Sequence, residues 1–299
     1  MLLSPKGTAE RTVNTIEKAA VQTVEKLNEK SLGKALTKSL SVLPQGSKDY
    51  LLKVLSENPK LLVFFKENPN FVSTWDYMHK FLPQECVNPT FLKMIRLANK
   101  YSSYSGNKLE NFVYKKLKDG SIEVMSKDSK HLLATIKPGN VIEVVGDDVN
   151  NWFLQLRPFT DAKYVINGAE YVTDDAGRIM KAKSRLKVAK KHRDSSVQKQ
   201  MGKLKGSHTN DHAGHLIGDQ FGGSSNMVNL VPMSKNVNTG EYKTLEKLWR
   251  DAIERGKEVG VEIKLKYPTK PIGLERPDWI EVVYEIDGSK MTKLIKNID

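Results

Sequence analysis

A change in hydrophobic period near residue 103 is the feature that most constrains how this chain can fold. Before it, apolar residues such as Val13, Ile16 and Ala20 recur at spacings of three and four, which is the period of an amphipathic helix. After it, short apolar alternations are separated by turn sequences such as Asp119-Gly120, which is typical of strands. Because the helical and strand segments are separated along the chain, we predict an α+β protein.

Three regions follow from this pattern. We predict a helical region at 1–103, a small β module or spacer at 104–160, and a C-terminal domain at 161–299. The β module would contain strands at 121–125, 132–136, 141–145 and 152–156. In the C-terminal domain the Asn167-Gly168 pair predicts a tight hairpin. Strands, a histidine-rich loop, a helix from Glu241 to about Lys257 and two closing strands follow, which places a β-β-α unit in the middle of the domain.

The charge of the chain indicates an anionic partner. The 299 residues carry a net charge of +13, with 11 Lys and Arg against a single acid in residues 176–210. Such a surface binds nucleic acid or, less specifically, a membrane surface, and the plain alternative is a solvated or disordered basic face. No apolar run reaches transmembrane length, so membrane insertion is not expected. The single cysteine, Cys86, excludes an intramolecular disulfide and a cysteine-based zinc site.

The histidines are concentrated beside this basic stretch. Four of the six lie between His192 and His215, and His212 and His215 directly follow the basic residues. A neutral imidazole can remove a proton from water near pH 7, while nearby cations hold phosphates. This combination indicates cleavage of a phosphodiester.

Phosphodiester hydrolysis also needs a cation to neutralise developing charge and to stabilise the leaving oxygen, which one Mg²⁺ can supply. Mg²⁺ keeps most of its waters, so one or two protein oxygens suffice. We expect His215 to activate water, Asn238 to bind the metal through its amide oxygen, and Glu246 to hold a metal-bound water. Asn238, Tyr242 and Glu246 are spaced by four residues and would project to one side of a helix.

A zinc site is the competing use of the same segment. His208, His212 and His215 have spacings of four and three, which suits ligands on a helix. Glycines at 206, 214 and 218 argue against a regular helix there. An ordinary turn at Gly214-His215 is the plain alternative for this pair alone.

Four sequence blocks, in order and with matching spacing, resemble the DNA/RNA non-specific endonuclease family, which has the ββα-metal fold. They are Asp-His-Ala-Gly-His-Leu-Ile-Gly-Asp-Gln-Phe-Gly-Gly at 211–223, Asn-Leu-Val-Pro-Met at 229–233, Asn-Thr-Gly-Glu-Tyr at 238–242 and Leu-Glu at 245–246. They are most similar to the branch that forms C-terminal toxin domains of bacterial polymorphic toxins. The resemblance spans residues 161–299 and leaves the first 160 uncovered.

The resemblance implies that His215 is the general base, that Asn238 is the metal ligand, and that Glu246 binds a metal-coordinated water. Mg²⁺, or Mn²⁺ in its place, would be the cofactor. The chain departs from the common Asp-Arg-Gly-His pattern at His212 and Ala213, and Met233 stands where glutamine is usual. Phosphate contacts must therefore come from elsewhere, and we expect them from Arg185, Lys190, Lys191, Lys203, Lys205 and His212.

These observations predict a metal-dependent endonuclease that cuts DNA, or alternatively RNA, without sequence preference. The resemblance further implies an antibacterial toxin effector that is delivered by a secretion system and acts in the target-cell cytoplasm. Its partners would be a cognate immunity protein and a carrier or secretion-system component. Two other hypotheses remain. One is a catalytically inactive nucleic-acid-binding module, favoured by Ala213. The other is a structural helical scaffold with a basic tail.

Overall fold

The computed structural model describes residues 27, 29–100, 109–146, 152–155, 157–189, 207–268 and 276–298. The chain divides into two compact units, residues 1–89 and 90–299. The helix predicted around Ile16 and Val24 lies outside the described residues. No helix in the described ranges combines the length and the apolar character that a membrane crossing requires.

The first unit is helical, as its sequence predicts. Its helices are α1 (Glu29–Leu32), α2 (Lys34–Leu40), α3 (Gln45–Glu57), α4 (Pro59–Glu67) and α5 (Phe71–Met78). Helix α4 begins as its sequence suggests, because the Asn58 side chain accepts a hydrogen bond from the Leu61 amide at 3.2 Å and Pro59 takes the first helical position. The core of this unit includes the fully buried side chains of Phe65 and Trp75, whose rings meet edge to face.

The second unit combines helices with a large sheet. Helix α6 (Pro89–Lys100) comes first, followed by β1 (Phe112–Lys116), β2 (Ile122–Ser126), β3 (Leu132–Lys137), β4 (Val141–Val144), β5 (Lys163–Ile166), β6 (Ala169–Thr173) and β7 (Ile179–Arg185). The remaining elements are β8 (His212–His215), β9 (Leu230–Met233), α7 (Lys235–Thr239), α8 (Glu241–Glu254), β10 (Val259–Lys266), β11 (Trp279–Ile286) and β12 (Ser289–Lys296). Within the described residues, β1 to β7 and β10 to β12 form one sheet in that order, and β8 pairs with β9 separately.

The predicted hairpin is confirmed. Asn167 and Gly168 have φ angles of 50° and 80°, and β5 pairs with β6 directly across them. Two consecutive positive φ angles are what a two-residue type I′ turn requires. The helix predicted from Glu241 is likewise present and ends at Glu254.

One predicted strand is wrong. Instead of extending, Trp152–Gln155 forms a short 3-10 helix. Phe153 and Leu154 are both buried although they are adjacent, whereas a strand at a sheet surface would bury only one of two neighbours. The Phe153 ring packs edge to face against Phe112, so tertiary packing overrides the local preference for a strand.

The sheet continues across residue 160. Strands β4 and β5 pair in parallel, with Ile142 opposite Tyr164, while the other neighbouring strands of this sheet are antiparallel. Thr160 binds α6 through its amide, which donates to the Met94 carbonyl at 2.8 Å, and through its hydroxyl, which donates to the Lys93 carbonyl at 3.0 Å. The segments 104–160 and 161–299 therefore share one sheet, and the independence of 161–299 stays a prediction.

Candidate active site on the β8–β9 pair and helix α8

The two candidate histidines lie at the ends of the four-residue strand β8. His212 pairs with Met233 and His215 pairs with Leu230 of β9, and both imidazoles are half-buried. Because side chains alternate along a strand, His212 and Gly214 share one face while His215 points to the other. A Cβ on Gly214 would overlap the Met233 side chain, so Met233 fills the space above this glycine.

Asn238 lies beside His212 rather than in the helix predicted to carry it. It belongs to the five-residue helix α7, which ends before α8 begins at Glu241. The Asn238 side-chain Nδ2 is 3.1 Å from Nδ1 of His212. The Asn238 side chain is half-buried, and its second polar atom, Oδ1, is the hard oxygen donor that suits Mg²⁺.

Helix α8 is attached to the loop that follows His215. The Tyr242 hydroxyl donates a hydrogen bond to the carbonyl of Leu216, the residue after His215. Burial raises the pKa of Tyr242 well above its usual range, and the nearby Glu246 carboxylate raises it further. The phenol therefore stays protonated near neutral pH and keeps this hydrogen bond.

Gly218 brings Glu246 against the same loop. A Cβ on Gly218 would overlap Oε1 of Glu246, so the absence of a side chain is what lets the carboxylate approach. Glu246 is half-buried and lies next to a residue only three positions after His215. The amide of Asn238 thus contacts β8 through His212, and the carboxylate of Glu246 approaches the loop after β8 at Gly218. Oxygen groups of this kind fit a divalent cation that keeps several waters.

Asn229 secures the loop from inside, a role that the sequence interpretation missed. Its side chain is fully buried, and its Oδ1 accepts a hydrogen bond from the Ile217 amide at 2.9 Å. Its Nδ2 donates to the carbonyls of Ile217 and Ser224 at 2.8 and 2.7 Å. The 229–233 block is one of the four on which the family resemblance rests, and its first residue satisfies three backbone groups.

A buried ion pair fixes the start of β8. Arg276 donates to both carboxylate oxygens of Asp211, at 2.8 and 3.1 Å, and Arg276 also donates to the backbone carbonyl of Asn297. The Asp211 and Arg276 side chains are 1% and 9% exposed. Asn297 is buried in turn, and its Oδ1 accepts from the amide of Ser234, just before α7. Arg276 and Asp211, 65 positions apart, thus connect the start of β8, through Asn297, with the start of α7. No local sequence pattern predicts these contacts.

Of the six residues expected to contact phosphates, the described residues include two. Arg185 lies on β7 with its side chain 83% exposed, and its Nη1 is 3.1 Å from Oε2 of Glu258. The other described residue, His212, contacts Asn238. The remaining four lie outside the described residues: Lys190, Lys191, Lys203 and Lys205.

A cationic strip on α8 was not recognised from the sequence. Lys243, Lys247 and Arg250 are exposed and follow one another at spacings of four and three, so they form one strip on the helix surface. Glu246 neighbours Lys243 at a spacing of three and Arg250 at a spacing of four. The Arg250 guanidinium binds the Gln220 side chain. Among the described residues no ion pair joins these three cations to an acid, in contrast to pairs such as Lys181–Glu262 on the sheet.

Among the described residues, the structure offers no set of ligands for the alternative zinc site. Within the described ranges, no group of three or more His, Cys, Asp and Glu side chains is arranged to hold a metal ion. Strand geometry explains part of this, since His212 and His215 point to opposite faces of β8.

Comparison with known proteins places the site in a family. Residues 160–288 match the family described as DNA/RNA non-specific endonuclease. These residues belong to that family. This confirms the family predicted from the four sequence blocks, and the endonuclease-family segment contains β8, β9 and both helices of the site.

Individual relatives match less than half of the chain. Type VII secretion system protein EssD of Staphylococcus aureus is 34% identical over 137 residues, which are 44% of this chain and 22% of that protein. Probable deoxyribonuclease RhsA of Dickeya dadantii is 29% identical over 126 residues, 40% of this chain and 8% of that protein. The chain therefore spans less than a quarter of the length of these curated relatives. The magnesium-bound crystal structure of NucA from Streptococcus agalactiae is similar at 15% identity and a TM-score of 0.36, covering 66% of this chain and 87% of NucA.

Proposed function

We propose that the chain is a metal-dependent endonuclease that hydrolyses DNA, and alternatively RNA, without sequence preference. The observation that carries the proposal is the family match over 160–288, because it covers the strand with His215 and the helices with Asn238 and Glu246. The relative RhsA is named a probable deoxyribonuclease, which supports DNA as the substrate.

In this mechanism each side chain has one task. His215 takes a proton from the attacking water, and its imidazole suits that role near pH 7. Asn238 would hold a divalent cation, Mg²⁺ or Mn²⁺, through Oδ1, and Glu246 would orient a water beside it. When bound, the cation neutralises the charge that develops on the phosphate. Tyr242 and Gly218 keep α8 against the loop, so the Glu246 carboxylate stays close to the loop that follows His215.

We assign phosphate binding to exposed Lys and Arg side chains that make no base-specific contacts. Lys243, Lys247 and Arg250 lie near Glu246 on α8, and we assign further phosphate contacts to the basic residues expected from the sequence, Arg185, Lys190, Lys191, Lys203 and Lys205. Contacts with the sugar-phosphate backbone carry no sequence information, so cutting is expected to be sequence-tolerant and binding to weaken steeply with salt.

The biological role is proposed from the named relatives. EssD is named as a secretion-system protein, which supports delivery of this chain by a secretion system. We propose an antibacterial toxin that acts in the cytoplasm of the target cell, carried by a secretion-system component and neutralised in the producing cell by a cognate immunity protein.

A plasmid-cleavage assay with Mg²⁺, with and without chelator, tests the function. We expect the wild-type chain to cleave only with metal, and His215→Ala to lose about 10²–10⁴-fold in rate because the general base is gone. His131→Ala is the matched control, since His131 is exposed and directly precedes β3, which belongs to the large sheet and not to the β8–β9 pair. Wild-type protein that binds DNA but does not cut it with Mg²⁺ or Mn²⁺ would favour the inactive binding module instead.

A further inference from the structure

The contact between His212 and Asn238 is a consequence of the fold rather than of chain proximity. The two residues are 26 positions apart, and their side chains meet because β8 pairs with β9, which places His212 opposite Met233. Helix α7 begins two residues after Met233, and Asn238 lies in its fourth position. Both side chains are half-buried, so the hydrogen bond is partly shielded from water.

The direction of this hydrogen bond fixes the orientation of the Asn238 side-chain amide. Nδ2 of Asn238 lies 3.1 Å from Nδ1 of His212, and because an amide nitrogen can only donate, the ring nitrogen is the acceptor in this hydrogen bond. The terminal torsion of asparagine is broad and roughly two-fold, so a free Asn238 would sample both orientations of its amide. A partner on the nitrogen side selects one of them and turns Oδ1 away from the ring.

The imidazole itself is held by a rigid neighbourhood. His212 directly follows Asp211, whose buried carboxylate is bound by Arg276 through two hydrogen bonds and also accepts from the His208 amide at 2.8 Å. The start of β8 is therefore fixed on one side by an ion pair and on the other by β9. A side chain on such a strand can hold its partner in one geometry.

We propose that His212 is a positioning residue for the metal site: it binds Nδ2 of Asn238 and thereby directs Oδ1 toward a divalent cation. The inference rests on the proposed function, in which Asn238 is the protein ligand. It assigns His212 a task other than contact with phosphate. Mutation of a residue that holds a metal ligand by a hydrogen bond typically costs about 10–100-fold in metal affinity or activity.

Binding of Mn²⁺ to the full chain without nucleic acid, followed by the electron paramagnetic resonance signal of free Mn²⁺, tests this role. We expect His212→Ala to weaken binding by about 10–100-fold. His212→Asn is the decisive variant, because its Oδ1 is bonded to Cγ just as Nδ1 of histidine is and can accept the same hydrogen bond. We expect it to restore most of the lost affinity. In an Asn238→Ala background, His212→Ala should cause no further loss.

The outcomes separate this inference from the proposed function. Wild-type affinity in His212→Ala would refute the positioning role, provided Asn238→Ala weakens Mn²⁺ binding and the wild type cleaves DNA with metal. Equal loss in His212→Asn and His212→Ala, with both variants unfolding at the wild-type urea concentration, would also refute it. A wild-type chain that neither binds Mn²⁺ nor cleaves would overturn the proposed function and this inference together.

Discussion

The buried Arg276–Asp211 ion pair should dominate the stability of the second unit near the site. Arg276→Ala leaves the Asp211 carboxylate, 1% exposed, without its counter-ion. Removing one partner of a buried ion pair typically costs about 3–5 kcal/mol. The matched control is the Lys293–Glu241 pair, whose atoms lie 3.1 Å apart but whose side chains are 50% and 53% exposed. Lys293→Ala should cost at most about 1 kcal/mol, as exposed pairs do.

Urea unfolding followed by tryptophan fluorescence measures both changes, because Trp249 and Trp279 lie in the second unit. A His215→Ala background in every protein removes the toxicity expected of the active chain. The double variant Arg276→Ala/Asp211→Ala should be less unstable than the two single losses added together, since the unpaired charge is gone. An Arg276→Ala variant no less stable than Lys293→Ala would refute the argument that this ion pair is desolvated and essential to the fold.

Two further predictions concern the loop and the domain boundary. Gly218→Ala should displace the Glu246 carboxylate and raise the Mg²⁺ concentration needed for half-maximal cleavage, whereas Gly260→Ala, where an added Cβ meets nothing within 4 Å, should not. Unchanged Mg²⁺ dependence in a folded Gly218→Ala protein would contradict the assignment of Glu246. Residues 161–299 contain every assigned side chain and should cleave DNA, but residues 90–299 should unfold at higher urea because they keep β4 beside β5. A folded 161–299 fragment that is inert while 90–299 is active would show that an upstream residue completes the site.

Local patterns were sufficient to predict helix α8 and the β5–β6 hairpin, whereas the histidine segment, expected as a loop, forms strand β8, and Asn238 lies in the separate helix α7. The Asn167-Gly168 turn is determined by the φ angles its own residues tolerate, and the apolar spacing of Tyr242, Leu245 and Trp249 is enough to predict the buried face of α8. Both signals are contained in a few neighbouring residues. The family resemblance likewise depended on short blocks with fixed spacing.

Contacts between distant residues could not be predicted in the same way. Arg276 and Asp211 are 65 positions apart, and neither belongs to a periodic pattern that indicates a partner. His212 was expected to contact nucleic acid because of its basic neighbours, but its hydrogen bond to Asn238 depends on the register of β8 with β9. The Trp152 segment was misassigned for a related reason, since its neighbours in space rather than in sequence decide its conformation.

The parallel pairing of β4 with β5 limits how such chains can exchange their C-terminal parts by recombination. A crossover at residue 160, where the family match begins, would pair β5 of one parent chain with β4 of the other. The two strands would then have to keep the same register, which starts with Val141 opposite Lys163. A crossover before α6 would move the whole sheet with its own partners. We expect functional hybrids between related chains to have junctions clustered near residue 90, with far fewer inside 141–166, where each new junction must preserve an existing strand pair.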